Sequence, residues 1–117
     1  MNPQSPKSIS AEDLYEWILK RSIKPILVDV REDKELELAS FTFDVIHMPL
    51  SKSKIWMSAL SDYLPSNAPI VVICHAGIRS WQFGLWLIEH SWEGDIWNLE
   101  GGIDSWSMKI DPSIPRY

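Results

Sequence analysis

Ile70-Val71-Val72-Ile73-Cys74-His75-Ala76-Gly77-Ile78-Arg79-Ser80 decides the fold of this chain. The run Ile70 to Ile73 is β-branched, follows Pro69 and is too short for a helix, so it predicts a buried parallel strand. Beyond Arg79, Ser80 and the apolar residues Trp81, Leu85, Trp86 and Ile88 predict a helix. The loop between them carries the only cysteine of the sequence. A thiol in that position faces the free N–H groups and positive dipole end of the helix, which favour anions and therefore the reactive thiolate. A lone cysteine at the end of an apolar strand also has a plain reading as core filler, since free Cys is among the most buried residue types. Gly77, Arg79 and the helix start tip the balance toward reactivity.

Outward from that stretch, length and composition set the frame. The 117 residues, 45% of them apolar, suit a single domain over 1–117 that builds a core without disulfides or metals. One cysteine excludes an intrachain disulfide and, with three scattered histidines, a thiolate zinc site at the usual spacings. No metal and no cofactor is expected. Residues 1–8 hold Pro3, Pro6 and polar side chains and are expected to be disordered. No stretch reaches the ~18 apolar residues of a membrane span, and no export signal is visible, so a cytoplasmic protein is expected, with no membrane partner. The formal net charge of −5 argues against nucleic acid and leaves a small anion or a protein thiol as the better partner.

The remaining elements alternate. Ser10 is a plausible N-cap for a helix from about Ala11 to Arg21, and Pro25 to Val30 predicts a strand whose carboxyl end carries Asp29 and Arg31. Glu32 to Leu38 predicts one or two helical turns, and Phe43 to Ile46 a strand stopped by His47-Met48-Pro49. Ile55, Ala59, Leu60 and Leu64 predict a helix, Asp95 to Leu99 a strand, and Gly101-Gly102 the turn into a last helix with Ile103 and Trp106. Such alternation implies a mostly parallel sheet with helices on both faces, and ligands in such folds bind beyond the carboxyl ends of strands, where Cys74 lies. Of the seven tryptophans, most are assigned to core packing; Trp56 and Trp81 are the candidates for another role.

Asp29-Val30-Arg31-Glu32, His47-Met48-Pro49, Cys74 to Ser80 and Asn98 to Trp106 together resemble, in order and spacing, a single-domain rhodanese of the sulfurtransferase family, over roughly Ile9 to Tyr117. The resemblance implies a rhodanese-like α/β fold with a central, mostly parallel sheet flanked by helices on both faces. It implies that Cys74 takes a sulfane sulfur from a donor such as thiosulfate, becomes a persulfide and passes the sulfur to cyanide or a thiol, in ping-pong fashion. The backbone N–H groups of His75, Ala76, Gly77, Ile78 and Arg79 would hold the thiolate and the outer sulfur, with Asp29 and Arg31 in support. The implied partners are a small sulfur-containing anion and an external thiol or protein acceptor, since the sequence offers no second cysteine. A non-catalytic interaction or sulfur-carrier module is the alternative.

Within that resemblance, Arg79 has two readings: a guanidinium facing the pocket, or one turned back to brace the loop on Asp29 or Glu32, with bracing slightly favoured. His75 shapes donor choice or stands exposed while its backbone works. Cysteine phosphatases place one more residue between nucleophile and arginine, so the shorter loop disfavours phosphate chemistry. Ile46 and Leu50 replace two glycines of the family's second motif, and a different turn is expected after His47, which is not assigned a catalytic role. Phe83 and Gly84 replace the paired alanines of the helix after the loop, which predicts altered packing. His90 is expected to interact with that helix's C-terminus.

Overall fold

The computed structural model describes residues 5–65, 67–90 and 92–117. Five parallel strands, β1 (Lys7–Ile9), β2 (Ile26–Asp29), β3 (Ile46–His47), β4 (Ile70–Ile73) and β5 (Ile96–Leu99), lie in the order β1-β5-β4-β2-β3. The helices are α1 (Ala11–Lys20), α2 (Asp33–Leu38), α3 (Ser53–Trp56), α4 (Leu60–Tyr63), α5 (Ile78–Glu89) and α6 (Gly102–Lys109). The β-branched run of β4 is central and buried on both sides, as its unbroken apolar character requires.

Side chains alternate along a strand, so β4 feeds two cores. Val71 and Ile73 join Leu14 and Trp17 of α1 and Ile103 and Trp106 of α6 on one face. Ile70, Val72 and Cys74 point to the other, against Phe83 and Leu87 of α5 and Trp56 and Leu64. The phase of the strand therefore fixes which face receives the thiol. Ser10 caps α1 as its type and position predict, accepting a bond from the Asp13 N–H at 3.1 Å.

Four expectations are corrected. The disorder expected over residues 1–8 does not extend to Lys7 and Ser8, which pair with Trp97 and Asn98 in an edge strand; residues 1–4 lie outside the described residues. Pro6 is buried against α5, and a Cβ on Gly84 would come within 2.6 Å of its Cγ, so the missing side chain at Gly84 makes the room.

The strand expected over Phe43 to Ile46 shrinks to Ile46–His47, because Phe41 and Phe43 turn inward onto Trp106, with ring centroids 5.2 and 6.1 Å away. The single helix expected around Ile55 to Leu64 is instead α3 and α4 joined by a 3₁₀ turn, Met57–Ala59. Its apolar residues do not share one helical stripe: Trp56 is buried while Ile55 and Met57 are exposed. Trp56 is thus a core residue, not a site residue. Its Nε1–H donates to the Pro49 carbonyl at 3.0 Å and its ring meets Phe83 edge-on. Trp81 is half-buried on α5.

Candidate active site

β4 delivers Cys74 to the carboxyl edge of the sheet, where its side chain is 1% exposed. The chain then turns through Gly77, whose φ of 102° lies in the left-handed region that glycine alone enters without strain. A Cβ there would also stand 3.3 Å from the Gly101 amide nitrogen and 3.5 Å from the Leu99 carbonyl oxygen. The turn brings the Gly77 N–H to 3.0 Å from Cys74 Sγ, at the first turn of α5.

A neutral network closes behind the sulfur. Ser80 Oγ lies 3.2 Å from Sγ and donates its proton to Asn98 Oδ1, while Asn98 Nδ2 donates to the Gly77 carbonyl at 3.1 Å. That last bond fixes the orientation of the Asn98 amide, because only the nitrogen can donate. With the Ser80 proton committed to Asn98, a protonated thiol donates to Ser80 Oγ; on ionisation the hydroxyl is free to turn and donate to the sulfur. Ser80 and Asn98 are both buried. Asn98 was legible as a polar residue inside an apolar strand, which requires partners.

The other end of the loop is tied to α6. The carbonyl of Cys74 accepts from the Ile103 N–H at 2.9 Å and that of His75 from the Asp104 N–H at 3.1 Å. Gly102, at φ 59°, permits this approach: a Cβ would collide with both carbonyl oxygens. Two carbonyls of the loop are thereby held by the start of α6. Of the five N–H groups expected to converge, Gly77's is the one within bonding reach of Sγ among the described residues.

Two carboxylate–guanidinium pairs flank the loop. Asp29 and Arg31 are 1% and 0% exposed and bond to each other: Arg31 Nε and Nη2 donate to the carboxylate at 3.0 and 2.9 Å, as does the Arg31 backbone N–H at 3.0 Å. Burial opposes the charge on Arg31, but its bonds to Asp29 and Tyr117 and the field of Asp29 outweigh that, so its pKa is raised. Arg79 is turned back as a brace, yet its partner is neither Asp29 nor Glu32. Its Nη1 and Nη2 grip Glu35 Oε1 and Oε2 at 2.6 and 2.8 Å, a fork-to-fork pair. The oxygens of Asp29 are occupied by Arg31, and Glu32 holds the Ser51 hydroxyl and N–H.

Glu35 is a hub. Oε1 also accepts the Glu32 N–H at 3.1 Å and Oε2 the Tyr117 hydroxyl at 2.7 Å. Chiefly through its bond from Arg79, its pKa falls to about 2. The Tyr117 hydroxyl in turn accepts from Arg31 Nη1 at 3.0 Å; burial first, and then Glu35, hold its pKa up at about 12. The Tyr117 ring stacks on His75, with centroids 4.1 Å apart and planes 13° off parallel, so one face of His75 is covered and the residue is half-buried. Nothing in the sequence singled out Glu35 or Tyr117, whose contacts join segments far apart along the chain.

His47 stands at the end of β3, its Nε2 2.6 Å from the Arg31 carbonyl oxygen. Neither Ile46 nor Leu50 has left-handed backbone, so the absence of glycine there costs no strain. His90 caps α5, with Nδ1 2.8 Å from the Trp86 carbonyl oxygen. No helix among the described residues is long and apolar enough to cross a membrane.

Comparison with known proteins bears on the family and the fold. The chain is 38% identical over 92 residues to rhodanese-like/PpiC domain-containing protein 12, chloroplastic, of Arabidopsis thaliana, covering 78% of this chain and 30% of that protein. It is 30% identical over 89 residues to a sulfurtransferase of Allochromatium vinosum, covering 76% of this chain and 78% of that protein. Against the adenylyltransferase and sulfurtransferase UBA4 of Debaryomyces hansenii the chain spans only 25% of the relative's length. The crystal structure of a rhodanese-related protein from Thermoplasma volcanium superposes with a TM-score of 0.69 at 29% identity, covering 95% of this chain and 99% of that one. The family model for the rhodanese-like domain matches residues 10–109, and the chain belongs to the rhodanese-like domain family.

Proposed function

We propose that this chain is a sulfurtransferase that carries sulfane sulfur on Cys74, taken from a donor such as thiosulfate and given to cyanide or a thiol. The observation that carries the reading is the gripped sulfur: Sγ sits at a helix N-terminus with a backbone N–H at 3.0 Å and a hydroxyl at 3.2 Å. In the first half-reaction the Cys74 thiolate attacks the outer sulfur of thiosulfate. The new S–S bond forms as the old one breaks, sulfite leaves with the bonding pair, and Cys74 becomes a persulfide. In the second, cyanide or a thiolate attacks the outer sulfur and Cys74 leaves as thiolate. No oxidant is needed in either step. The loop amides of His75, Ala76, Ile78 and Arg79, not engaged with Sγ, are assigned to the outer sulfur. Asp29 and Arg31 support the loop without touching the sulfur.

The sulfurtransferase of Allochromatium vinosum, matched over most of its length, supports the reaction class. With one cysteine in the sequence, the acceptor is external: a small nucleophile or a partner's thiol. Chemistry that runs through a free thiolate suits a reducing compartment such as the cytoplasm.

The test is intact mass after incubation with thiosulfate, followed by thiocyanate formation on adding cyanide. One added sulfur atom on Cys74 and thiocyanate release are expected in the wild type, and neither in Cys74→Ser, whose hydroxyl lacks the acidity and nucleophilicity of the thiol. Equal thiocyanate production by the serine variant would overturn the assignment. A wild type that takes no sulfur from any donor would leave the non-catalytic module.

A further inference from the structure

The rim of the cradle carries more structure than sulfur transfer demands. Arg79 lies in the first turn of α5, just beyond Gly77, and Cys74 is among the groups whose field raises its pKa, after its bond to Glu35. A guanidinium there is the natural receptor for a small dianion, yet both its terminal nitrogens are held by Glu35. Glu35 is in turn fixed by the Glu32 N–H and the Tyr117 hydroxyl. Arg31, the other guanidinium, is matched by Asp29.

Tyr117 is well placed to hold this arrangement. Ile114 is buried, its carbonyl accepts from Ser107 Oγ at 2.5 Å, and Arg116 pairs with Asp104 at 2.8 Å, so the segment leading to Tyr117 is docked on α6. The hydroxyl bridges Arg31 and Glu35 while the ring lies flat on His75.

We propose that Tyr117 is a specificity-determining residue of the sulfur site, which, by locking Glu35 onto Arg79, keeps that guanidinium from the donor and favours persulfides carried on a thiol over small sulfur dianions. The proposal rests on the sulfurtransferase reading and names its preferred donor class. The donor step balances without a co-reactant: the Cys74 thiolate attacks the outer sulfur of R–S–SH, the S–S bond breaks, Cys74 becomes the persulfide and R–S⁻ leaves, with one negative charge on the departing sulfur where sulfite concentrates two on a single small group. A leaving group with less charge needs no free guanidinium. Because the Tyr117 phenol, at about 12, and the Glu35 carboxyl, at about 2, keep their states across the working range, the lock holds at every ordinary pH.

The experiment measures kcat and KM separately for thiosulfate and for glutathione persulfide in wild type, Tyr117→Phe and Glu35→Gln, with cyanide as acceptor. Tyr117→Phe keeps the stack on His75 and removes only the hydroxyl. Arg79, released in Glu35→Gln and held by a less fixed carboxylate in Tyr117→Phe, is expected to lower KM for thiosulfate about threefold in Tyr117→Phe and about tenfold in Glu35→Gln, with KM for glutathione persulfide changed less than about twofold. The thiosulfate KM of Glu35→Gln should also acquire a steeper salt dependence. A purely bracing role predicts a fall in kcat for both donors with no gain for thiosulfate, and that result would overturn the proposal. If Glu35→Gln is poorly folded by circular dichroism, Tyr117→Phe alone decides. A wild type in which neither donor adds sulfur to Cys74 by intact mass would refute the sulfurtransferase reading, an outcome distinct from a changed donor ratio.

Discussion

The two carboxylate–guanidinium pairs of the site use the same chemistry in opposite surroundings. Asp29–Arg31 is sealed, with side-chain exposures of 1% and 0%, and every polar contact of its guanidinium is internal. Glu35–Arg79 stands at the rim, 17% and 33% exposed, and its carboxylate takes four donors. The sealed pair is irreplaceable piecemeal, because either partner alone would be an uncompensated buried charge. The rim pair can lose a partner to water. The difference suggests that the inner pair maintains the architecture of the sheet end and the outer one is free to tune what approaches the sulfur.

The sharpest way to break that comparison is to remove one inner partner. Arg31→Met strands the Asp29 carboxylate and also releases Tyr117, and should destabilise the fold by about 3–5 kcal/mol in urea denaturation. A loss below about 1 kcal/mol, the range of exposed pairs, would erase the distinction.

Acid separates the pairs next. The Glu35 carboxyl falls from 4.5 to about 2 on folding, so its contribution is fully present above the unfolded value and disappears as pH drops through about 2. Allowing for solvent screening at the rim, the wild type should lose about 1 kcal/mol more than Glu35→Gln between those limits, read from thermal melts across the range. Parallel pH profiles for the two proteins would contradict this. The smallest effect is salt. A double-mutant cycle on Glu35 and Arg79 should lose about 0.5 kcal/mol of coupling between low and molar salt, whereas one on Asp29 and Arg31 should barely move.

These pairs also mark where the sequence was readable and where it was not. The cradle follows from local rules: a β-branched strand, a glycine turn and an amphipathic helix place Cys74, and all act within a few residues of it. Asp29 and Arg31 pair two positions apart, and the order of motifs reveals the fold. The rim escapes because its members meet only in three dimensions, Glu35 with Arg79 and Tyr117 across long stretches of chain. Trp56 misled for a related reason: it lies among exposed neighbours along the chain, and only the turn around it shows the ring swung into the core. The short β3 was obscured because Phe41 and Phe43 answer to Trp106, far along the chain, rather than to the strand propensity of their own segment.

Gly102 has a further consequence for the order in which the site comes into being. During synthesis the thiol, its turn and the first coil of α5 exist before Gly102, Ile103 and Asp104 have been made. Until then the carbonyls of Cys74 and His75 lack the amides that hold them in the folded protein, and water must serve in their place. The nascent segment therefore presents the loop with two of its carbonyls still unheld, and the anchored loop belongs to the finished domain. A chain halted before Gly101 would contain every residue of the loop and lack the anchor that shapes it.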